Sequence, residues 1–121
     1  MAFHGYTAYA TELEATSGLS APAEEEGFVV AHPQAFGSTP AWHIRGDRSY
    51  DPLDVTMTQS LVSLLIDKAC VDPGRVYLAG HSMGGAMASD AACRLADGSL
   101  VSCSLPFSGS CFPASRCVPS P

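Results

Sequence analysis

Positive charge is scarce in this chain. Six Lys and Arg stand against twelve Asp and Glu in 121 residues, giving a net charge of −6 and a pI near 4.9. The basic residues are scattered, so the clustered cations that displace counterions from nucleic acid are missing and a nucleic-acid partner is excluded. Long apolar runs are missing as well. None approaches the roughly 18 residues that a membrane-spanning helix requires. The start, Met1-Ala2-Phe3-His4-Gly5, has neither the basic opening nor the apolar stretch of a signal peptide. None of the five cysteines forms a C-x-x-C pair, and the four histidines do not fall at metal-ligand spacing with them. No metal site or cofactor is therefore expected. Internal repeats are absent too.

What is present describes a folding chain of one small domain. The hydrophobic fraction is 46% and the charged fraction 15%, values outside the disordered range. Met1 to His4 is a short apolar run ending at Gly5, which suits a strand end. Residues 12 to 26 carry a weak helical pattern broken by Gly18 and Pro22. Phe28-Val29-Val30-Ala31 has the pattern of a buried strand closed by His32-Pro33, and the breakers Pro33, Gly37, Pro40, Gly46 and Pro52 mark residues 33 to 53 as a long loop. Asp54 reads as a helix N-cap, with Met57, Leu61, Leu64 and Leu65 forming one apolar face and the helix ending near Ala69 or Cys70. Asp72-Pro73-Gly74 is a turn, Val76-Tyr77-Leu78-Ala79 a fully buried strand, and Ala86 to Ala96 a helix of small residues stopped at Asp97-Gly98. Strands alternating with helices predict an α/β fold with a mostly parallel sheet flanked by helices. Residues 98 to 121 differ in composition, being rich in Ser, Pro and Cys with Arg116 as the single charge; Leu100 to Phe107 is a weak candidate for one further strand.

The motif that carries chemistry is Gly80-His81-Ser82-Met83-Gly84, a G-x-S-x-G placed directly after a strand and directly before a helix. A strand reversing tightly into a helix forces its central residue into a strained conformation, and the residues two positions to either side must be tiny because strand and helix nearly touch. Gly80 and Gly84 meet that need. Ser82 is then the candidate nucleophile, with the following helix aiming its N-terminus at the site. The Met83 N–H is one candidate oxyanion donor. The second belongs to the loop after an earlier strand, where His4-Gly5-Tyr6-Thr7 offers the Tyr6 N–H, with Thr7 as the substitute. A dinucleotide loop is excluded because Ser82 stands where G-x-G-x-x-G requires Gly, and a phosphate loop because no Gly-Lys-Ser/Thr occurs.

Together these segments resemble the polyhydroxybutyrate depolymerase and feruloyl esterase group of the α/β-hydrolase superfamily. The matching pieces are His4-Gly5-Tyr6, Gly27-Phe28-Val29-Val30-Ala31-His32-Pro33-Gln34, Asp54-Val55, Val71-Asp72-Pro73-Gly74-Arg75-Val76-Tyr77 and the turn through Gly85. The resemblance covers residues 1 to 97 and continues loosely to Ser108-Gly109 and Arg116-Cys117. It implies a partial α/β-hydrolase: a core with a nucleophile elbow over 1 to 97 and a tail over 98 to 121. It further implies a serine carboxylic ester hydrolase that works through a Ser82 acyl-enzyme on polyesters, or on feruloyl or acetyl esters of polysaccharide, in the extracellular space.

A serine hydroxyl is a weak nucleophile without a base. The fold's order of Ser, then Asp or Glu, then His is not completed here, because between Ser82 and Pro121 stand Asp90 and Asp97 and no His. His81 adjoins Ser82, so its side chain is expected to leave the turn in another direction. His4 is expected to orient the oxyanion loop, and His32 to be structural. His43, beside Trp42 in the long loop, is the one histidine placed to approach Ser82. Asp90, two turns into the following helix, reads as a solvated residue, as does Glu24-Glu25-Glu26. Trp42 fits either an acyl pocket or a cap on the core. Cys70 and Cys93 flank the turn unit and form a candidate disulfide, against ordinary buried thiols.

The resemblance also implies that the strands before Met1 and the Asp/His part after Pro121 are lacking. The chain alone is thus expected to be marginally stable and to hydrolyse p-nitrophenyl acetate little. The alternatives are a catalytically inactive truncated remnant or interaction module, and a small secreted Cys-rich protein. The oligomeric state is left open.

Overall fold

The computed structural model describes residues 1–44 and 53–95 and the backbone of 103–107. Its elements, in chain order, are β1 (Ala2–Phe3), α1 (Ala10–Ser17), α2 (Ser20–Glu26), α3 (Leu53–Ala69), a 3-10 turn (Pro73–Arg75), β2 (Tyr77–His81), α4 (Met83–Leu95) and β3 (Cys103–Phe107). The strands form a parallel sheet in the order β1-β2-β3, with Ala2 opposite Ala79, and Tyr77 through His81 opposite Cys103 through Phe107. This is the parallel sheet with helical flanks that the strand–helix alternation predicts.

Residue alternation along a strand sends successive side chains to opposite faces, and that assigns the helices. Phe3 and Leu78 are fully buried on one face and join a core with Met87, Ala88 and Ala91 of α4 and Val55 and Val62 of α3. Ala2 and Ala79 point the other way, where α1 lies. α1 starts where the Glu12 carboxylate accepts the Tyr9 N–H and where Gln34 Oε1 accepts the Ala10 N–H. It ends at Gly18 in the left-handed conformation, and α2 ends likewise at Gly27.

Several expectations from the sequence are corrected. The 28–31 segment is not a strand. Its one backbone bond to the sheet is Ala2 N–H to Ala31 C=O, 2.9 Å, and Phe28 and Val29 are 46% and 51% exposed. β1 is only two residues long, too short to carry a ladder on its outer edge. The buried face of α3 is Val55, Thr58 and Val62, flanked by Met57 and Ile66, while Leu64 is 52% exposed. The helix carries apolar residues on more than one side, so spacing alone could not choose the face that meets α4. Asp54 sits inside the first turn of α3 and takes a longer-range partner, described below. β2 is not buried throughout, because Tyr77 is half exposed while Leu78 and Gly80 are covered. α4 begins at Met83, directly at the turn. Asp90 is not solvated: it is buried and its Oδ1 accepts from Arg94 Nε at 3.3 Å, one helical turn on. Cys93 is disulfide-bonded and Cys70 is a free, exposed thiol, so the two do not bridge each other.

Four other expectations hold, at the end of α3, the turn before β2, the Glu24–Glu26 run and β3. α3 ends at Ala69, with Cys70 at a positive φ of 54°. Asp72 Oδ1 accepts the Gly74 N–H in the turn before β2. Glu24, Glu25 and Glu26 are exposed. The weak strand signal over 100–107 falls on β3. The remainder of the 98–121 tail and residues 45–52 of the long loop lie outside the described residues. Among the described residues no helix is long and apolar enough to cross a membrane, and no group of three or more His, Cys, Asp or Glu could hold a metal ion.

Candidate functional site

β2 ends at His81 and α4 begins at Met83, which leaves Ser82 alone to reverse the chain. It does so at φ 52°, the left-handed region that residues with a Cβ rarely adopt. The crowding is visible in the neighbours. A Cβ on Gly80 would lie 2.2 Å from the Gly84 carbonyl carbon, and one on Gly84 would lie 2.1 Å from the Phe3 carbonyl oxygen and 2.5 Å from that of His4. β1, β2 and α4 therefore meet at backbone contact, and any side chain at these two positions would push them apart. Ser82 is exposed, and its Oγ has no hydrogen-bond partner among the described residues.

The N-terminus of α4 supplies donors. The Ser82 carbonyl accepts from Gly85 N–H at 2.9 Å and Ala86 N–H at 3.3 Å. Met83 N–H, at the first helical position, has no intrahelical acceptor, and the helix dipole favours negative charge there. The His4–Thr7 loop lies against this turn. A Cβ on Gly5 would be 3.6 Å from Ser82 Cβ and 3.3 Å from His81 Nδ1. Tyr6 N–H has no acceptor among the described residues, whereas Thr7 N–H is bonded to the Pro40 carbonyl at 2.9 Å. The substitute donor Thr7 is therefore already engaged.

His4 organises this loop from within the core. Its Nε2 accepts the Ala35 N–H at 3.0 Å, with Gln34 Nε2 at 3.2 Å. That network places the proton on Nδ1, which donates to the Gly5 carbonyl at 2.8 Å. Trp42 is 1% exposed. Its ring stands edge-on to Phe3 with centroids 5.2 Å apart, and its indole N–H donates to the His4 carbonyl at 2.8 Å. It is a core residue, not the wall of an open pocket.

The remaining histidines are accounted for separately. His81 lies beside Gly5 and makes no hydrogen bond to Ser82. His43 is held at Asp54, whose Oδ2 accepts its backbone N–H at 2.7 Å and its Nδ1–H at 3.2 Å. The structure does not join it to Ser82. His32 has a buried Nε2 with no partner among the described residues. Desolvation lowers its pKa below the ordinary 6.5, opposed by Glu14 and aided by the N-terminal ammonium. The folded state then binds fewer protons than the unfolded chain, so stability falls as pH drops below about 6.5 and the loss is complete below the folded value. Tm measured from pH 8 to pH 5 is expected to show this slope, and His32→Gln is expected to flatten it.

Sequence reasoning missed Gln34, Asp54 and Trp42 as supports of the loop. Gln34 stands in the His32-Pro33-Gln34 segment and could have been singled out there. The partners of Trp42 and Asp54 are distant in sequence and left no local signal. Beside the site, a cleft of about 440 Å³ opens on the α1 side of the sheet, walled by Gly5, Ala8, Leu13, Leu19, Glu12 and His81.

Comparison with known proteins bears on the fold. Residues 2–120 match the model of the alpha/beta hydrolase family. The chain belongs to that family. This α/β hydrolase is 36% identical over 97 residues to feruloyl esterase B of Piromyces equi, across 78% of the chain and 18% of that protein. It is also 36% identical over 92 residues to a protein named as an esterase, NocK, of Nocardia uniformis subsp. tsuyamanensis, across 73% of the chain and 26% of that protein. The hydrolase chain thus spans about a fifth to a quarter of the length of these relatives.

Proposed function

We propose that this chain carries the nucleophile part of a serine carboxylic ester hydrolase. The observation that carries the reading is Ser82 at φ 52° at the head of α4, with the Gly5 loop packed against it; Met83 N–H and Tyr6 N–H, which have no acceptor among the described residues, are the oxyanion donors in this reading. Ser82 Oγ adds to the ester carbonyl carbon while its proton passes to a base and then to the departing alcohol. The carbonyl oxygen, now an oxyanion, is held by the two N–H groups. Water then releases the acid from the acyl-enzyme. The relative named feruloyl esterase B supports a feruloyl ester as substrate, and the acetyl ester of polysaccharide rests on the motif resemblance. A polyester is the other substrate, and it rests on the motif resemblance. The disulfide at Cys93 supports an oxidising, extracellular setting. Residues 1–97 form the hydrolase core in this reading, and 98–121 a tail that contributes β3.

A fluorophosphonate probe tests the nucleophile, because it phosphonylates only activated serines. Wild-type protein is expected to label at Ser82, located by peptide mapping, and Ser82→Ala is expected not to label. A second reading, a non-catalytic member of the fold, is favoured by one observation: among the described residues no histidine is hydrogen-bonded to Ser82 Oγ. Free imidazole separates the two. It is expected to accelerate labelling where the alcohol and its oxyanion donors are in place and only the base is wanting. No labelling with or without imidazole would establish the non-catalytic reading.

A further inference from the structure

The segment that holds the His4–Thr7 loop is hydrogen-bonded in turn to α3. Thr7 stands at φ 61°, a left-handed conformation that persists only where its surroundings impose it. The Pro40 carbonyl accepts the Thr7 N–H at 2.9 Å. Two residues further on, Trp42 donates to the His4 carbonyl at 2.8 Å. The strap from Pro40 to His43 therefore grips the loop on both sides of Gly5 and Tyr6. At its far end, the strap is hydrogen-bonded to the Asp54 side chain of α3. One carboxylate oxygen, Oδ2, takes both the backbone N–H and the Nδ1–H of His43. Asp54 is itself fixed, because its own carbonyl accepts from the buried Thr58 hydroxyl one turn on.

We propose that Asp54 is a positioning residue for the Gly5–Thr7 loop, acting through the Pro40–His43 strap to keep Gly5 packed against Ser82 and the Tyr6 N–H facing the reacting centre. The proposal rests on the reading of Ser82 as nucleophile. It assigns to a side chain in α3, which has no contact of its own with the serine, control over one oxyanion donor. Asn at this position keeps an acceptor oxygen for His43; Ala removes it. A structural role would lower stability without distinguishing the loop from the rest of the fold, whereas a positioning role singles the loop out.

The experiment uses the full chain with two readouts, amide hydrogen exchange at Thr7 and the second-order rate of fluorophosphonate labelling. In Asp54→Ala, Thr7 exchange is expected to rise about tenfold or more as its bond to Pro40 is released. Labelling is expected to slow about 10- to 100-fold, the scale on which small displacements of a catalytic group act. Asp54→Asn is expected to restore both to within a few-fold of wild type. Val62→Ala, in the same helix but facing the core, is the control: it is expected to lower Tm and leave the labelling rate of the folded protein unchanged. The proposal is overturned if Asp54→Ala leaves Thr7 exchange as in wild type, if it frees Thr7 without slowing labelling, or if Val62→Ala slows labelling equally. A wild-type protein that does not label would sink the nucleophile reading instead. The exchange arm would then still decide whether Asp54 governs the loop.

Discussion

Gly84→Ala is expected to leave little folded protein. The added Cβ would lie 2.1 Å from the Phe3 carbonyl oxygen and 2.5 Å from that of His4. Both are backbone atoms of the strand and loop that the site depends on, so no side-chain rotation relieves the clash. Either α4 lifts from the sheet or β1 separates from β2. Lifting α4 would uncover Met87, Ala88 and Ala91, which are fully buried. Overpacking of a well-filled core costs about 1–3 kcal/mol, and more when the backbone must move. A small domain has only about 5–15 kcal/mol in total. Circular dichroism and the yield of soluble protein check this. A Gly84→Ala protein with a Tm within a few degrees of wild type would show that β1, β2 and α4 do not meet at backbone contact. Gly80→Ala, with its Cβ at 2.2 Å from Gly84, is expected to behave in the same way.

The second large effect is expected at Trp42. Trp42→Ala removes the largest fully buried side chain, together with its edge-on contact to Phe3 and its bond to the His4 carbonyl. Truncations of this kind cost about 3–5 kcal/mol. Trp42→Phe separates the two contributions. It retains most of the apolar contact and deletes the indole N–H, leaving a buried carbonyl without that donor, at a cost of about 1–3 kcal/mol. Urea denaturation followed by circular dichroism is expected to rank wild type above Trp42→Phe above Trp42→Ala. Equal stability of Trp42→Phe and wild type would mean that the N–H to His4 bond contributes nothing. Trp42 is the single tryptophan of the chain, so in all other variants its fluorescence reports on the packing behind the loop.

Phosphonylation of Ser82, the pH slope at His32 and the Asp54 variants address different levels of the same architecture. Ser82 tests the chemistry and His32 a half-buried ring whose Nε2 has no partner among the described residues. Asp54 tests how the long loop governs the short one. The levels are physically linked because the Phe3–His4 backbone is at once a sheet edge, a wall against Gly84 and the acceptor for Trp42.

The sequence by itself determined the features whose causes are local. A tight strand-to-helix reversal demands glycine on either side of its centre, and Gly80 and Gly84 announce it within five residues. Strand–helix alternation gave the parallel sheet, Gly18 ended α1, and Asp72-Pro73-Gly74 made its turn. The tertiary structure decided what depends on neighbours distant along the chain. It selected Val55, Thr58 and Val62 over Leu64 as the inner face of α3, because α4 lies on that side. It buried Asp90 by giving it Arg94 in a covered position, and it denied the 28–31 segment a ladder because β1 is too short to offer one. It also engaged Thr7 with Pro40, His4 with Ala35 and Gln34, and His43 with Asp54. Those bonds join residues separated by about ten to more than thirty positions. No periodicity or short motif encodes such pairs, since each depends on the tertiary fold that brings its two segments together.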